Sequence, residues 1–453
     1  MAKTIQPRVL KGFRDILPEK EMLRRSIIRT IEDSCRQFGF VPIDTPVLEY
    51  TEVLLGKGGG ETDKQVYRFE DNGGRDVAMR FDLTVPFARF MGAHANELYL
   101  PFKRYHFAKV WRGENTQRGR YREFMQCDFD IVGVDSAASD LEILQLMYGN
   151  FAALGISEVS FRISHRGLFN RFLGRIGAGE QSEAVLRAVD KLPKVGREST
   201  EAALSEAVGA QAAKGILEYI VRRDDNEATL ANMEELAGGP CDESRRLRDL
   251  LALAAELGMS RRFIIDPSIT RGLDYYTGIV YETFLDELPD IGSVCSGGRY
   301  NDLARLYTKT ELPGVGSSIG LDRLMAALEE LAENRAKAGG ADANAPGITG
   351  GRDQRGADIL ILMLYGKLLG RYAAIAQELR RAGVRPEDFP MAKKLGQQFS
   401  YAEKKAIPVG IIAGEDEFKN GTVNYKHLVS RRADDGVTLE AAIKLAARDL
   451  MES

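Results

Sequence analysis

The chain is poor in the residues that most often carry chemistry alone. Of 453 residues, four are cysteine (Cys35, Cys127, Cys241, Cys295) and four histidine (His94, His106, His165, His427). The cysteines show no CxxC spacing, which argues against a disulfide scaffold and a zinc site. No two histidines stand at i, i+4, so the HExxH pattern of zinc hydrolases is absent. No Ser/His/Asp or Cys/His set offers a protein nucleophile. No apolar run reaches about 18 residues, which excludes a membrane-spanning helix. Met1-Ala2-Lys3-Thr4 opens neither an apolar signal core nor an Arg/Ser-rich transit segment, and a cytoplasmic protein is the expectation. Net charge is small as well: 62 Lys and Arg against 66 Asp and Glu give −4. That balance weighs against indiscriminate polyanion binding.

What remains is ordinary globular material, 44% hydrophobic and 28% charged, too apolar for a disordered chain. Its length fits about two to four domains. After Pro18, residues Leu23, Ile27 and Ile31 recur at helical spacing, with Gly39 as a stop. Val41 to Pro46 reads as a short strand. Gly56-Lys57-Gly58-Gly59-Gly60 lacks the GK[ST] ending of a phosphate loop and reads as a plain loop. Val77–Phe81, Tyr105–Trp111, Phe124–Val132 and Val159–Ile163 read as strands, and Leu141–Leu154 as a helix. Widely spaced strands of this kind predict a mixed α/β (α+β) domain around an antiparallel sheet. From about 167 to 262 strand signals vanish, and helices fit Glu180–Leu192, Ala210–Arg222 and Glu243–Leu257. Strands return at Phe263–Ile265 and Ile279–Phe284. A Gly/Ala-rich linker follows over 336–356. Residues 357–453 then alternate strand and helix as a separate α/β unit: strands at Ile359–Leu364, near Phe389 and at Pro408–Ile412, helices at Leu368–Ala382, Lys393–Lys405 and Leu439–Met451.

Three clusters carry chemistry. Between Lys103 and Phe124 lie seven basic residues (Lys103, Arg104, Lys109, Arg112, Arg118, Arg120, Arg122) and two acidic ones, Glu114 and Glu123. A hairpin with arginines at its base is a clamp for polyphosphate, because guanidinium pairs bidentately with phosphate oxygens. Glu114 can accept from an amine on a base, and Phe124 can stack on it. The second cluster, Arg271-Gly272-Leu273-Asp274-Tyr275-Tyr276-Thr277-Gly278, packs hydrogen-bonding groups suited to a small polar ligand. The third runs from Gly314 to Leu324. Its glycines let a ligand approach the backbone, and Arg323 then stands in the first turn of a helix, where side chain and helix terminus together suit an anion.

Helix, strand and proline, then the Arg-x-Glu hairpin, then the Gly-rich strand with its arginine resemble the three motifs of class II aminoacyl-tRNA synthetases. Arg271 to Tyr276 and Cys295-Ser296-Gly297-Gly298-Arg299-Tyr300 resemble signatures of the histidyl-tRNA synthetase family, and the similarity covers nearly the whole chain. The resemblance implies a catalytic core split into 1–166 and 263–335, a helical insertion at 167–262 that contacts tRNA, and an anticodon-binding domain at 357–453. It implies histidine and ATP as substrates, Mg²⁺ as the ion accompanying ATP, no protein metal ligands that can be named, tRNA(His) as acceptor, and a homodimer to which Leu23, Ile27 and Ile31 contribute as interface or as core. By the same resemblance, Arg112 grips the α-phosphate and the substrate carboxylate region. Glu114 meets the adenine amine, Phe124 lies beneath the ring, Arg120 joins the ATP site, and Arg323 holds the γ-phosphate. Arg271 is the catalytic arginine that stabilises charge during attack. Asp82, Leu83, Thr84 and Gln126 hold the α-amino group, and Asp130 and Tyr276 read the imidazole beside Tyr275. Asp82 and Asp130 stand where many members of the family carry glutamate, and the hairpin tip, Asn115-Thr116-Gln117-Arg118, varies between branches.

Two other readings compete. One is a non-catalytic, histidine-sensing paralogue of the ATP phosphoribosyltransferase regulatory type, which typically lacks the terminal domain and has degraded ATP-binding arginines. This chain keeps Arg112, Arg271, Arg323 and residues 357–453. The other is a class II synthetase of different specificity, against which the Arg271–Gly278 cluster speaks.

Overall fold

The computed structural model describes residues 5–56, 64–270, 275–337 and 355–452. The expectations for Lys57–Gly60, for Arg271 to Asp274 and for most of the linker fall outside those residues. By internal contacts the chain divides into two units, 1–15 with 27–347 and 16–26 with 348–453.

In chain order the first unit holds α1 (Pro18–Gln37, within which the division falls), β1 (Val41–Pro42), β2 (Leu48–Tyr50), α2 (Thr51–Leu55), β3 (Arg68–Glu70), β4 (Asp76–Met79), α3 (Thr84–His94), β5 (Phe102–Trp111), β6 (Glu123–Val132), α4 (Ala137–Ala153) and β7 (Val159–His165). Helices α5 (Arg166–Arg175), α6 (Ser182–Val208), α7 (Ala210–Tyr219), α8 (Asn226–Ala237) and α9 (Asp242–Glu256) follow, then β8 (Phe263–Ile265), β9 (Ile279–Leu285), β10 (Cys295–Arg299), β11 (Gly314–Gly320) and α10 (Leu321–Lys337). An eight-stranded sheet runs β1-β5-β6-β11-β10-β9-β7-β8. Its centre is antiparallel, and only the end pairs β1–β5 and β7–β8 are parallel. A second, three-stranded sheet runs β2-β4-β3. The short strand expected at 41–46 is cut back to β1, Val41–Pro42, in the large sheet, and β2 of the small sheet begins beyond it at Leu48.

The large sheet has two chemically different faces. Side chains alternate along a strand, so Cys127, Phe129 and Ile131 of β6 face one way, where they are buried. Gln126, Asp128 and Asp130 face the other. The β5–β6–β11 register places Arg104, Asp130 and Gly316 in one row and His106, Asp128 and Ser318 in the next. Leu23, Ile27 and Ile31 are buried within the single chain. They are core, and an interface would have to use other side chains.

The second unit continues with β12 (Ile359–Leu362), α11 (Leu369–Arg381), β13 (Pro386–Asp388), α12 (Leu395–Lys404), β14 (Val409–Ile412), α13 (Glu415–Asn420), β15 (Thr422–His427), β16 (Ala433–Thr438) and α14 (Leu439–Glu452). Its sheet, β13-β12-β14-β15-β16, is parallel on one side and antiparallel on the other. β12 is buried at every position, as a parallel strand covered on both faces must be. Among the described residues, no helix is long and apolar enough to cross a membrane.

Candidate active site

A cavity of about 290 Å³ opens on the polar face of the large sheet. Its walls come from the loop before α3, the β5–β6 hairpin, the strands β6, β9, β10 and β11, and the first turn of α10.

The arginine end is built by the hairpin. β5 and β6 pair as far as Trp111 opposite Glu123. The Arg112 N–H then bonds the Arg122 carbonyl at 2.9 Å, and Gln117 and Arg120 close the tip as an isolated bridge. Arg112, Glu114, Arg120 and Phe124 all line the cavity. The Arg112 Nε donates to the Phe81 carbonyl at 2.9 Å, and its guanidinium lies 5.1 Å from the Phe124 ring centroid. Arg120 pairs with Glu114 at 3.7 Å. Arg323 enters from the start of α10 and donates to the Ser293 carbonyl. A polyanion with an aromatic base would meet cations, a carboxylate and a ring in this cavity.

Sequence reasoning missed what holds that wall. The N-terminal segment crosses it: the Arg122 N–H bonds the Gly12 carbonyl at 2.9 Å, and the Arg14 guanidinium sits 3.7 Å from the Tyr121 ring centroid while pairing with Asp322. Asp322 also accepts the Met125 N–H at 2.8 Å. Arg14 and Asp322 are 308 positions apart, so no local signal joins them.

The opposite end is acidic and phenolic. Asp82 accepts the Val85 N–H at 3.1 Å with one oxygen, at the start of α3, and the Tyr275 hydroxyl at 3.2 Å with the other. Burial pushes its carboxyl up to about 6, partly offset by the Val85 N–H and by Arg112. Thr84, Gln126, Tyr275 and Tyr276 also line the cavity. The two tyrosine rings meet edge to face at 5.0 Å. Burial raises both phenols, so they remain hydrogen-bond donors at neutral pH.

Two expected ligands stand back from the wall. Leu83 is fully buried, and its carbonyl accepts from Arg104 at 3.4 Å. Asp130 is absent from the cavity lining. Its carboxylate is paired with Arg104 at 2.7 Å and accepts the Tyr300 hydroxyl. A buried carboxylate without such partners would be costly. The arrangement depends on Gly316, where a Cβ would fall 1.9 Å from the Asp130 Oδ1. Gly298 does the same for Tyr276, whose ring would stand 2.9 Å from a Cβ there. These two glycines explain why both strands are glycine-rich: the ligand end of the site lies flat on the sheet. Asp128 and Ser318, on the same face, were also missed.

The family model described as histidyl-tRNA synthetase matches residues 12–324, and one described as an anticodon-binding domain matches 358–448. A histidine–tRNA ligase of Treponema denticola is 48% identical, with 98% of each chain covered. The chain belongs to the histidyl-tRNA synthetase family. A crystal structure of histidyl-tRNA synthetase from Nostoc sp. PCC 7120 superposes with a TM-score of 0.81 at 29% identity, covering 98% of this chain and 100% of that one. A Bacillus halodurans chain titled ATP phosphoribosyltransferase regulatory subunit/histidyl-tRNA synthetase gives 0.71 at 20% identity, over 88% and 97%. That second likeness shows a shared fold alone. Arg112, Glu114, Phe124, Arg323, Asp82, Thr84, Gln126 and Tyr276 all line the one cavity.

Proposed function

We propose that the chain is a histidine–tRNA ligase. It condenses L-histidine with ATP to histidyl-adenylate, releasing pyrophosphate, and then transfers histidine to the 3′ end of tRNA(His). The observation that carries this reading is the polarity of one cavity, with arginines at one end and Asp82, Gln126, Tyr275 and Tyr276 at the other. A zwitterionic amino acid with its ammonium at the acidic end directs its carboxylate toward the arginines, where a nucleotide α-phosphate would lie.

The chemistry is in-line attack of that carboxylate on the α-phosphorus. Both reactants are anionic, so catalysis is positioning and charge neutralisation. Arg112 bridges the carboxylate and α-phosphate, and Arg323 takes the γ-phosphate. Glu114 accepts from the adenine amine, Phe124 stacks beneath the base, and Arg120 steadies Glu114. Arg271 is assigned to the attacked centre from its motif. Asp82, Thr84 and Gln126 take the ammonium. Tyr276 takes the imidazole at the cavity wall, and Asp130, held behind that wall by Arg104 and Tyr300, is assigned to the imidazole from its motif. Neutral imidazole offers one donor and one acceptor, which a carboxylate and a phenol satisfy together. Among the described residues, no three His, Cys, Asp or Glu side chains form a metal-binding group. Mg²⁺ would come with the nucleotide phosphates, with the cavity carboxylate Glu282 as a hard oxygen donor; the ion would neutralise polyphosphate charge.

The hairpin tip and helices α5–α9 are assigned to tRNA, residues 357–453 to the anticodon, and the protein to the cytoplasm as a homodimer. Exposed Val41, Val47, Leu48, Tyr50 and Phe69, on and beside the small sheet, are the side chains we assign to the dimer contact. The deciding experiment is ATP–pyrophosphate exchange with each of the twenty amino acids, followed by charging of tRNA(His). Exchange with histidine alone is expected. Exchange with another amino acid, or histidine binding without exchange as in a regulatory paralogue, would reject the assignment.

The Asp82 carboxyl supplies a pH test. Its pKa of about 6 lies above the usual carboxylate value, so the group is ionised at pH 7.5 and mostly protonated at pH 5. Protonation removes the negative partner of the ammonium. The kcat/KM for histidine should therefore fall as pH drops through about 6, beyond what free histidine's own titration accounts for. In Asp82→Asn, kcat/KM should be lower at pH 7.5 and the extra acid limb should vanish. An unchanged limb in the variant would assign it to another group, Asp128 first.

A further inference from the structure

The Gln126 side chain is 9% exposed and lines the cavity. Its Nε2 donates to the Ser318 Oγ at 2.8 Å. Its Oε1 is buried and has no partner among the described residues. A buried amide oxygen left in this way costs free energy unless a ligand donor meets it. The amide could equally turn round, offering Nε2 to the cavity and Oε1 to a hydroxyl proton, because serine both donates and accepts. Something has to choose.

Asp128 makes that choice. It lies directly across from Ser318 in the β6–β11 register and is buried with its Oδ1 lacking a hydrogen-bond partner among the described residues, an acceptor beside the Ser318 hydroxyl. Serine has one proton. Once an ionised Asp128 holds it, above the pKa of about 7 to which burial pushes this carboxyl, the Ser318 oxygen can only accept, and the acceptor is served by the Gln126 NH₂ group. We propose that Asp128 is a positioning residue for histidine selection: through Ser318 it locks the Gln126 amide with its oxygen toward the cavity, where it accepts from the substrate's α-ammonium. The inference rests on the reading above that Gln126 meets that ammonium. Asp128 itself touches no substrate.

The test is binding of two probes to the full chain by calorimetry: L-histidine, and 3-(imidazol-4-yl)propanoate, which lacks the ammonium. Asp128→Ala frees the Ser318 proton, lets the amide turn, and should weaken L-histidine about tenfold while leaving the propanoate within about twofold. Asp128→Asn keeps a carbonyl acceptor for Ser318 and should bind L-histidine within about threefold of the parent. Gln126→Glu in the Asp128→Ala background should restore the lost affinity, since a carboxylate presents oxygen whichever way it turns. Equal losses for both probes, or Asp128→Asn as damaged as Asp128→Ala, would overturn the proposal in favour of a structural or purely charge-based role. Gln126→Ala separates the premises. If it leaves the ratio of the two affinities unchanged, the ammonium assignment fails; if it lowers the ratio while Asp128→Ala does not, only the role of Asp128 fails.

Discussion

Arg112→Ala is expected to lower kcat/KM for histidine-dependent pyrophosphate exchange by roughly 10³-fold, the loss seen when one preorganised donor to a developing charge is removed. Three contributions add. The guanidinium is the cavity cation nearest the acidic end, since its field also lowers the Asp82 carboxyl. It alone is assigned to both anions that must approach each other. It is also preorganised: Nε is held on the Phe81 carbonyl and the guanidinium lies over Phe124, so little ordering remains at the moment of reaction. Arg112→Lys keeps the charge and loses the fork, and should recover no more than about tenfold of the loss. Because Arg112 is only partly buried, thermal stability should change little. A kcat/KM within tenfold of the parent for Arg112→Ala would remove this arginine from the reacting centre. The same variant should raise the pH at which histidine activation falls away, because Asp82 loses a neighbouring positive charge.

Gly316→Ala should be strongly damaging for a single added methyl group. The added carbon would lie 1.9 Å from the Asp130 Oδ1, 2.4 Å from its Cγ and 2.9 Å from the Phe129 carbonyl oxygen. The Asp130 side chain must then leave the row it shares with Arg104. Overpacking of a core costs about 1–3 kcal/mol, and separating a buried ion pair costs about 3–5 kcal/mol. A net destabilisation of about 4–8 kcal/mol follows, with a rise of about 100-fold in KM for histidine and little change in KM for ATP. Calorimetric unfolding and exchange kinetics together check it. The two closest clashes are with the Asp130 side chain, so Gly316→Ala should cost less stability in an Asp130→Ala background, the Phe129 carbonyl contact remaining. Additive losses in that double-mutant cycle would mean that backbone, not Asp130, meets the methyl group.

Several groups that line the cavity were legible in the sequence because they sit on short local motifs. Arg112, Glu114, Phe124 and Arg323 sit on short motifs whose alternation or helical start announces the element that carries them. The elements followed the same logic: α1, β5, β6, α4 and α9 were expected within a few residues of where they lie. Helix α8 was missed although its signals were present, with Asp225 capping the Ala228 N–H at 2.7 Å and Gly238 closing in the left-handed region. Helix α6 extends well past its expected end, through Pro193 and a break at Gly196. Strands β15 and β16, Thr422–His427 and Ala433–Thr438, went unread because Asn, Lys and Asp-Asp-Gly oppose strand propensity. Their stability comes from pairing with β14 and with each other, which no local window contains.

The sequence by itself determined the chemical inventory: arginines for phosphate, tyrosines and carboxylates for an imidazole and an ammonium, and no protein nucleophile. Tertiary structure decided which carboxylate does what. Asp82, Asp128 and Asp130 are the same side chain in sequence terms, yet Asp82 lines the cavity, Asp130 is taken by Arg104 and Tyr300, and Asp128 stands across the strand pair from Ser318. The difference arises from register. A buried carboxylate must be answered by whatever stands opposite it, and in a sheet that neighbour is set by pairing between strands nearly 200 residues apart, as Asp128 with Ser318. A shift of one residue would exchange the faces, leaving the motifs intact and the site dismantled.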